Sequence, residues 1–273
     1  MPLFAALTYE ELNSLERDET VVLVPTGCTE QQGPHLSVDF DTWFAAELCE
    51  AVAERLESRG VVALVLPTTP FGPTPEHRGY GGYVNLRQDT FERLLEDVLE
   101  SLIAQGFRRF VIWRGCGGHR LSELAHRFNA AHTGAARVWV PDHPYNEVWC
   151  ALADPDVPGG HADSFATSIA LARHRERVRP DRVPPPSEAT PDFADSAADW
   201  SLVSATGVVG DPTRASAEPA SASGHKPSSG PPRSSSASQW KPSNSLRGTG
   251  PDRRAKAVDP PRRGSRRRPA RRT

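Results

Sequence analysis

One polar segment, residues 25–41, brings carboxylates, a histidine and a thiol close together in the sequence. It contains Cys28, Glu30, His35 and Asp41. Carboxylate oxygens bind hard cations and polar substrates, and Zn²⁺ accepts carboxylate, imidazole and thiolate ligands. These residue types therefore indicate a metal or polar-substrate site. Asp41 also stands where a helix could begin, so capping of that helix is the alternative role for its side chain.

A second polar segment, residues 113–119, places three glycines around Cys116 and ends at His119. Glycines let the backbone approach a ligand closely, and a helix N-terminus after them would favour an anion or a thiolate. The segment matches neither the GxGxxG pattern nor the P-loop, so it does not indicate a nucleotide site. A functional Cys116 and a tight turn around a buried cysteine both fit this sequence.

Two further histidines lie in segments rich in glycine and proline. His77 belongs to residues 71–83, whose composition is typical of a shaped lid or interface loop. It could contact substrate or a neighbouring subunit, and a surface histidine without such a role is the alternative. His161 is expected at the start of a helix, where the positive end of the helix dipole would lower its pKa. A neutral imidazole there would suit a general base or a metal ligand.

The elements that must position these segments alternate between strands and helices. Short apolar runs predict buried strands at residues 20–25, 61–67, 110–113 and 138–140. Helical spacing of apolar residues predicts helices at residues 41–58, 89–105 and about 121–132. This alternation favours an α/β fold whose parallel sheet is covered on both faces. Such sheets bind ligands at the carboxyl ends of their strands, which is where the polar segments lie.

The charge divides the chain into two parts. The first 218 residues carry a formal charge of −14, and the last 55 carry +12. Residues 219–273 are rich in Pro, Ser and Arg without apolar periodicity, so we expect a disordered basic tail. It could contact nucleic acid non-specifically, but its single aromatic residue, Trp240, argues against specific recognition. A shifted reading frame is the alternative origin of this segment.

Composition also excludes several classes of protein. No run of about 18 apolar residues is present, so a transmembrane helix is not expected. The first residues lack the basic region of a secretory signal, and the four cysteines are too dispersed for a small disulfide framework. We therefore expect a cytoplasmic protein with no membrane partner.

Four segments together resemble the creatininase (creatinine amidohydrolase) family. Residues 27–41 resemble its motif G-S-x-E-Q-H-G-P-H-L-P-x-x-T-D, and residues 114–119 resemble N-G-H-G-G-N. Residues 161–168 resemble H-A-G-E-x-E-T-S, and residues 207–218 resemble the closing motif G-V-x-G-D-P-x-x-A-x-x-E. The resemblance implies a three-layer αβα domain over residues 1–218 with a mainly parallel sheet. It also implies a homo-oligomer, with a hexamer as one form, and hydrolysis of a small cyclic or linear amide at a two-metal centre.

The resemblance assigns roles to individual residues. Glu30 stands at a glutamate ligand, Asp41 at the bridging aspartate and Cys116 at a ligand histidine. Because a thiolate binds zinc well, these three predict one open Zn²⁺ centre, with His119 as a further candidate ligand. Zinc would lower the pKa of its bound water to about 7, and His161 would carry a proton to the leaving nitrogen.

The second metal of the family loses its ligands in this chain. The histidine and glutamate that would hold it correspond to Gln32 and Ser164. Some members place a glutamate at the position of Gly118, which has no side chain to offer. We therefore expect one zinc ion and not two metals.

Three functions stay open. The chain could be a zinc-dependent hydrolase of a small amide, or an inactive relative kept as a binding or assembly protein. It could also be a thiol enzyme with Cys116 as nucleophile and His119 or His161 as base. Four residues in the predicted loops are candidate substrate contacts: His35, His77, Tyr80 and Trp149.

Overall fold

The structure is a computed structural model that describes residues 3–141, 160–189, 191, 195 and 198–217. The chain divides into two units, Met1–His225 and Lys226–Thr273, and every described residue belongs to the first. The predicted tail, residues 219–273, and the candidate substrate contact Trp149 lie outside the described residues.

A parallel sheet lies at the centre of the described part of the chain. Its strands are β1 (Val21–Thr26), β2 (Ala63–Val65), β3 (Arg109–Arg114) and β4 (Arg137–Trp139). They are all parallel and follow the order β2-β1-β3-β4. β1 and β3 pair along their whole length, with Thr26 opposite Arg114 at the carboxyl ends. The segments that follow these two strands therefore begin side by side.

The helices agree closely with the periodicity of the sequence. They are α1 (Tyr9–Asn13), α2 (Phe40–Glu57), α3 (Gln88–Ala104), α4 (Ser122–Ala131) and α5 (Ser164–Arg173). α2, α3 and α4 lie within one residue of their predicted bounds at each end. In the part of the chain that is described, no helix combines the length and the apolar character needed to cross a membrane.

Helices cover both faces of the sheet. On one face, α3 and α4 pack on the strands in a core that includes Phe91 and Phe110. On the other face, α2 packs on the sheet through Ala53 against a cluster that includes Leu23. α5 lies behind α2, where Ala166 joins a separate apolar cluster with α2 side chains. The predicted three-layer αβα architecture is confirmed.

The start of α2 differs from the sequence interpretation of Asp41. The N-cap residue is Asp39, whose side chain makes no capping hydrogen bond, and Asp41 lies in the first turn of the helix. The Asp41 side chain is buried and points to the loop after β1, where it accepts a hydrogen bond from Gln32. Asp41 is therefore available for a site and does not cap the helix.

Candidate metal and catalytic site

A cluster of acidic side chains lies at the carboxyl ends of β1 and β3. The loop after β1 supplies Cys28 and Glu30, the first turn of α2 supplies Asp41, and the loop after β3 supplies Cys116. The ligand atoms of these four buried residues all lie within 4.8 Å of one another. Cys116 Sγ is 3.9 Å from Glu30 Oε1 and 3.7 Å from Glu30 Oε2. Three of the predicted ligands thus come together, and Cys28 joins them.

Burial makes the charged forms of these groups unfavourable. Burial raises the pKa of Glu30 well above its usual range, and the neighbouring Cys116 and Asp41 raise it further. Burial also raises the pKa of Asp41 to about 7. The pKa of the Cys28 thiol is raised by burial and then by Cys116. A bound cation would offset this repulsion, and carboxylates with thiolates fit zinc among the divalent metals.

Gln32 connects the two carboxylates of the cluster. Its amide nitrogen lies 3.4 Å from Glu30 Oε1 and 3.1 Å from Asp41 Oδ2. An amide nitrogen donates hydrogen bonds and has no lone pair for a metal. Gln32 therefore supplies N–H donors at the position where the family resemblance places a ligand histidine.

A backbone donor to the Cys116 sulfur comes from the same loop. The backbone N–H of Gly118 donates a hydrogen bond to Cys116 Sγ at 3.3 Å. α4 begins only at Ser122, so Cys116 lies well before the helix N-terminus. A loop N–H, and not the helix terminus that the sequence suggested, is the donor that faces the thiol.

His119 turns toward Cys28. Its Nε2 lies 3.0 Å from Cys28 Sγ, and its Nδ1 lies 3.0 Å from Thr26 Oγ1. Because the Thr26 hydroxyl donates to the carbonyl of Trp113, it accepts the hydrogen of Nδ1, and Nε2 carries the lone pair. His119 forms a possible ligand group with Cys28 and Cys116, and that group contains neither carboxylate.

Two neutral imidazoles face Glu30. His77 Nε2 lies 3.4 Å and His161 Nδ1 lies 3.8 Å from Glu30 Oε1, and the three residues form another possible ligand group. Burial, and then the neighbouring His161, lower the pKa of His77 to about 2. Burial lowers the pKa of His161 to about 4. His161 lies three residues before α5, which begins at Ser164, so burial replaces the predicted helix dipole as the main cause.

The cluster opens into a cavity of about 560 Å³. This volume is typical of sites for small organic ligands. Its described lining includes Glu30, Glu76, His77, Cys116, Arg120 and His161. A molecule in the cavity could therefore contact Glu30, Cys116 and both imidazoles.

Sequence reasoning missed Glu76, which lies in a short 3-10 turn, Pro75–His77. A Cβ atom added to Gly118 would lie 2.9 Å from Glu76 Oε1 and 3.5 Å from Cys116 Sγ. The Glu76 carboxylate thus fills the space that a side chain at position 118 would need. Burial raises the pKa of Glu76, while Arg120 and Arg78 lower it. No motif in the sequence signalled this contact, because it joins two separate loops.

The predicted substrate contacts lie in different places. His77 lines the cavity. His35 is fully buried, with Nε2 2.8 Å from the Thr167 hydroxyl, and the Tyr80 hydroxyl donates to the Ser204 carbonyl. Neither His35 nor Tyr80 is among the described residues of the cavity wall. Their roles as substrate contacts stay predictions.

Comparison with known proteins shows which family the chain is similar to. The family described as creatinine amidohydrolase matches residues 5–223. A mycofactocin precursor peptide peptidase from Mycolicibacterium smegmatis is 32% identical over 203 residues, which cover 72% of this chain and 76% of that protein. A creatinine amidohydrolase from Pseudomonas putida is 27% identical over 200 residues, which cover 65% of this chain and 74% of that protein.

Solved structures share the fold. A crystal structure of creatinine amidohydrolase (creatininase) aligns with a TM-score of 0.63 at 24% identity, covering 79% of this chain and 89% of that one. A manganese form of creatininase aligns with a TM-score of 0.63 at 24% identity, covering 78% of this chain and 89% of that one. The chain therefore belongs to the creatinine amidohydrolase family, which is a family of hydrolases.

Proposed function

We propose that this chain is a zinc-dependent hydrolase that cleaves a C–N amide bond in a peptide or a small peptide-derived amide. One observation carries the proposal. The Cys116 thiol lies 3.7 Å from Glu30 Oε2, in a buried cluster with Asp41 that opens into the cavity. Two carboxylates and a thiolate so arranged form a ligand set for a divalent metal next to space for a substrate.

Glu30, Asp41 and Cys116 would hold one zinc ion. When bound, zinc would activate a water molecule for attack on the amide carbonyl. Catalytic zinc keeps one coordination position open for water. Three protein ligands leave this position open, and a fourth would close it. Cys28 is the only other donor in that group of four, and its Sγ is instead hydrogen-bonded to His119 Nε2. We therefore assign Cys28 and His119 to the support of the site and not to the metal.

His161 is the proposed proton carrier. Its Nε2 lies 2.7 Å from the backbone carbonyl of Gln31, so Nε2 donates and Nδ1 keeps its lone pair. Nδ1 lies 3.8 Å from Glu30 Oε1, and the residue lines the cavity. In this position Nδ1 can take a proton from the attacking water and deliver it to the leaving nitrogen.

The substrate class rests on the relatives and on the size of the cavity. The relative from Mycolicibacterium smegmatis acts on a peptide according to its name and is 32% identical to this chain. A cavity of about 560 Å³ has room for a short stretch of peptide. Arg120 and Glu76 both line it, so charged groups of a peptide could be bound there.

The thiol-enzyme alternative has weaker support. Cys116 Sγ lies next to the carboxyl group of Glu30, at 3.7 Å from Oε2, and this neighbour is not an imidazole that could act as its base. His119, one of the bases predicted for Cys116, is instead hydrogen-bonded to Cys28. The inactive-relative alternative is tested directly by turnover.

The experiment is an amide-hydrolysis screen on the full chain, with peptides from mycofactocin precursors and with small linear and cyclic amides. We expect turnover of a peptide-derived amide that chelator treatment abolishes and added zinc restores. Glu30→Gln and Cys116→Ala should abolish it, whereas Cys49→Ala, which alters a buried thiol of α2 outside the cluster, should keep it. Turnover that survives complete metal removal would overturn the proposal.

A further inference from the structure

The side-chain amide of Gln31 has a fixed orientation. Its oxygen accepts a hydrogen bond from the Gly33 N–H at 2.8 Å, and its nitrogen donates to the Gly207 carbonyl at 3.0 Å. A Cβ atom on Gly207, where φ is +75°, would lie only 2.0 Å from Gln31 Oε1. Rotating the amide by half a turn would place its oxygen against the Gly207 carbonyl oxygen and its N–H against the Gly33 N–H. The nitrogen of Gln31 must therefore face the Gly207 carbonyl.

This orientation determines which nitrogen of His77 carries hydrogen. Gln31 Nε2 lies 3.0 Å from His77 Nδ1. An amide nitrogen only donates, so Nδ1 accepts, and the hydrogen of the neutral ring is on Nε2. That N–H lies 3.4 Å from Glu30 Oε1. His77 is thus a donor toward Glu30 and has no free lone pair on that side.

The backbone of the same residue determines the tautomer of His161. Its Nε2 lies 2.7 Å from the Gln31 carbonyl oxygen, which only accepts. The hydrogen of this ring is therefore on Nε2, and the lone pair on Nδ1 faces Glu30 Oε1 at 3.8 Å. The two imidazoles meet one carboxylate with opposite hydrogen-bonding character.

We infer that Gln31 is a positioning residue that fixes these two tautomers, making His77 a hydrogen-bond donor that orients Glu30 and His161 a proton acceptor. The arrangement also prevents His77 from joining Glu30 and His161 as a metal ligand, which directs the metal to the side of Glu30 where Asp41 and Cys116 lie. The catalytic meaning rests on the proposed function, but the tautomers themselves do not.

The first test is imidazole NMR of the ¹⁵N-labelled full chain, which distinguishes the two neutral tautomers of each histidine. In the wild type we expect hydrogen on Nε2 of both His77 and His161. In Gln31→Glu, a carboxylate oxygen would meet His77 Nδ1 and draw the hydrogen onto that atom. His161 should keep its pattern because its partner is a backbone atom, which makes it an internal control. Hydrogen on His77 Nδ1 in the wild type would overturn the inference.

A second variant tests the inference even if Gln31→Glu fails to fold. Gln31→Met keeps the approximate size of the side chain and removes its donor, and Gln105→Met on the exposed end of α3 is the matched control. We expect the His77 pattern to change in Gln31→Met and to stay unchanged in Gln105→Met. A His77 pattern that is the same in the wild type and in both Gln31 variants would overturn the role of Gln31.

Kinetics separates this inference from the proposed function. Loss of a residue that orients a metal ligand typically costs about 10–100-fold in activity or metal affinity. We expect kcat of Gln31→Met to fall by that factor with little change in KM, while Gln105→Met keeps wild-type values. An altered His77 tautomer with unchanged kcat and zinc affinity would overturn the positioning role. Wild-type protein with the expected tautomers but no amide turnover would count against the proposed function alone.

Discussion

The amide nitrogen of Gln32 lies 3.1 Å from Asp41 Oδ2 and holds this carboxylate inside the buried cluster. The same nitrogen reaches Glu30 Oε1 at 3.4 Å. Gln32 is itself buried, so its two N–H bonds replace the water that would otherwise solvate these oxygens. Gln32 therefore helps to hold the two carboxyl groups together in the metal-free protein, in addition to the hydrogen bond between Glu30 and Asp41 themselves.

Replacing Gln32 with leucine should destabilise the metal-free protein. The change keeps the approximate volume but removes both donors, and a buried acceptor left without its partner costs about 1–3 kcal/mol. Urea unfolding at mildly alkaline pH with a chelator measures the loss. Gln105→Leu, on an exposed position, should change the free energy of unfolding by less than about 0.5 kcal/mol. Equal stability of Gln32→Leu and the wild type would show that these bonds are not formed.

The stability of the metal-free protein should depend on pH through Asp41. Its pKa in the folded chain is about 7, above its ordinary value of 3.8, so the folded state binds this proton more tightly than the unfolded state. The contribution is fully present below about pH 4 and is lost as the pH rises through about 7. The free energy of unfolding of the wild type relative to Asp41→Asn should therefore fall between about pH 4 and pH 7.

The comparison with Asp41→Asn is needed because two buried histidines make the free energy of unfolding change with pH in the opposite direction. The pKa values of His77 and His161 are lowered to about 2 and about 4 from 6.5. Their contribution is present above pH 6.5 and is lost as the pH falls toward these values. Subtracting the free energy of unfolding of Asp41→Asn from that of the wild type removes the contribution of the histidines, which the two proteins share. A difference that rises or stays flat with pH would contradict the assignment to Asp41.

His161→Gln should separate proton transfer from metal binding. Loss of a general base costs about 10²–10⁴-fold in rate, whereas the zinc ligands proposed here stay in place. We expect that loss in kcat with zinc content unchanged. His126→Gln, on the exposed side of α4, should keep full activity. Wild-type turnover by His161→Gln would remove His161 from the mechanism.

Two adjacent glycines test the position of Glu76. A methyl group at Gly118 would lie 2.9 Å from Glu76 Oε1, so Gly118→Ala must displace that carboxylate in the cavity. A methyl group at Gly117 meets nothing within 4 Å in the described structure. Ordinary contact begins at 3.4 Å, so the Glu76 carboxylate need shift by only a few tenths of an ångström, and we expect a smaller loss than the roughly 10²-fold that a misplacement of about 1 Å can cause. We expect kcat/KM to fall in Gly118→Ala and to stay unchanged in Gly117→Ala, and equal values would contradict the geometry.

The fold could be predicted because its signals are local. The apolar runs of β1 and β3 and the helical spacing in α3 identify these elements without any long-range information. That the polar loops lie at one edge of the sheet also followed from the sequence, since parallel strands end at the same edge, whereas the meeting of Glu30 with Cys116 was implied by the resemblance to the creatininase family. The sequence could not specify the strand order, which determines the loops that are neighbours.

The rest of the site depends on contacts between loops. Gln31 bonds to His77, 46 residues away, and to Gly207, 176 residues away, and no periodicity encodes either pairing. The direction of His119 likewise depends on the Thr26 hydroxyl at the end of β1. Such contacts follow from loop conformation, so the sequence could not show that the lone pair of His119 faces Cys28.

The most direct test of the central claim is the zinc content of the full chain purified without chelator. We predict one zinc per chain in the wild type and in Cys49→Ala, and a large loss of zinc in Cys116→Ala and Glu30→Gln. Zinc near zero in the wild type, or undiminished zinc in Cys116→Ala, would contradict a metal centre built on these residues.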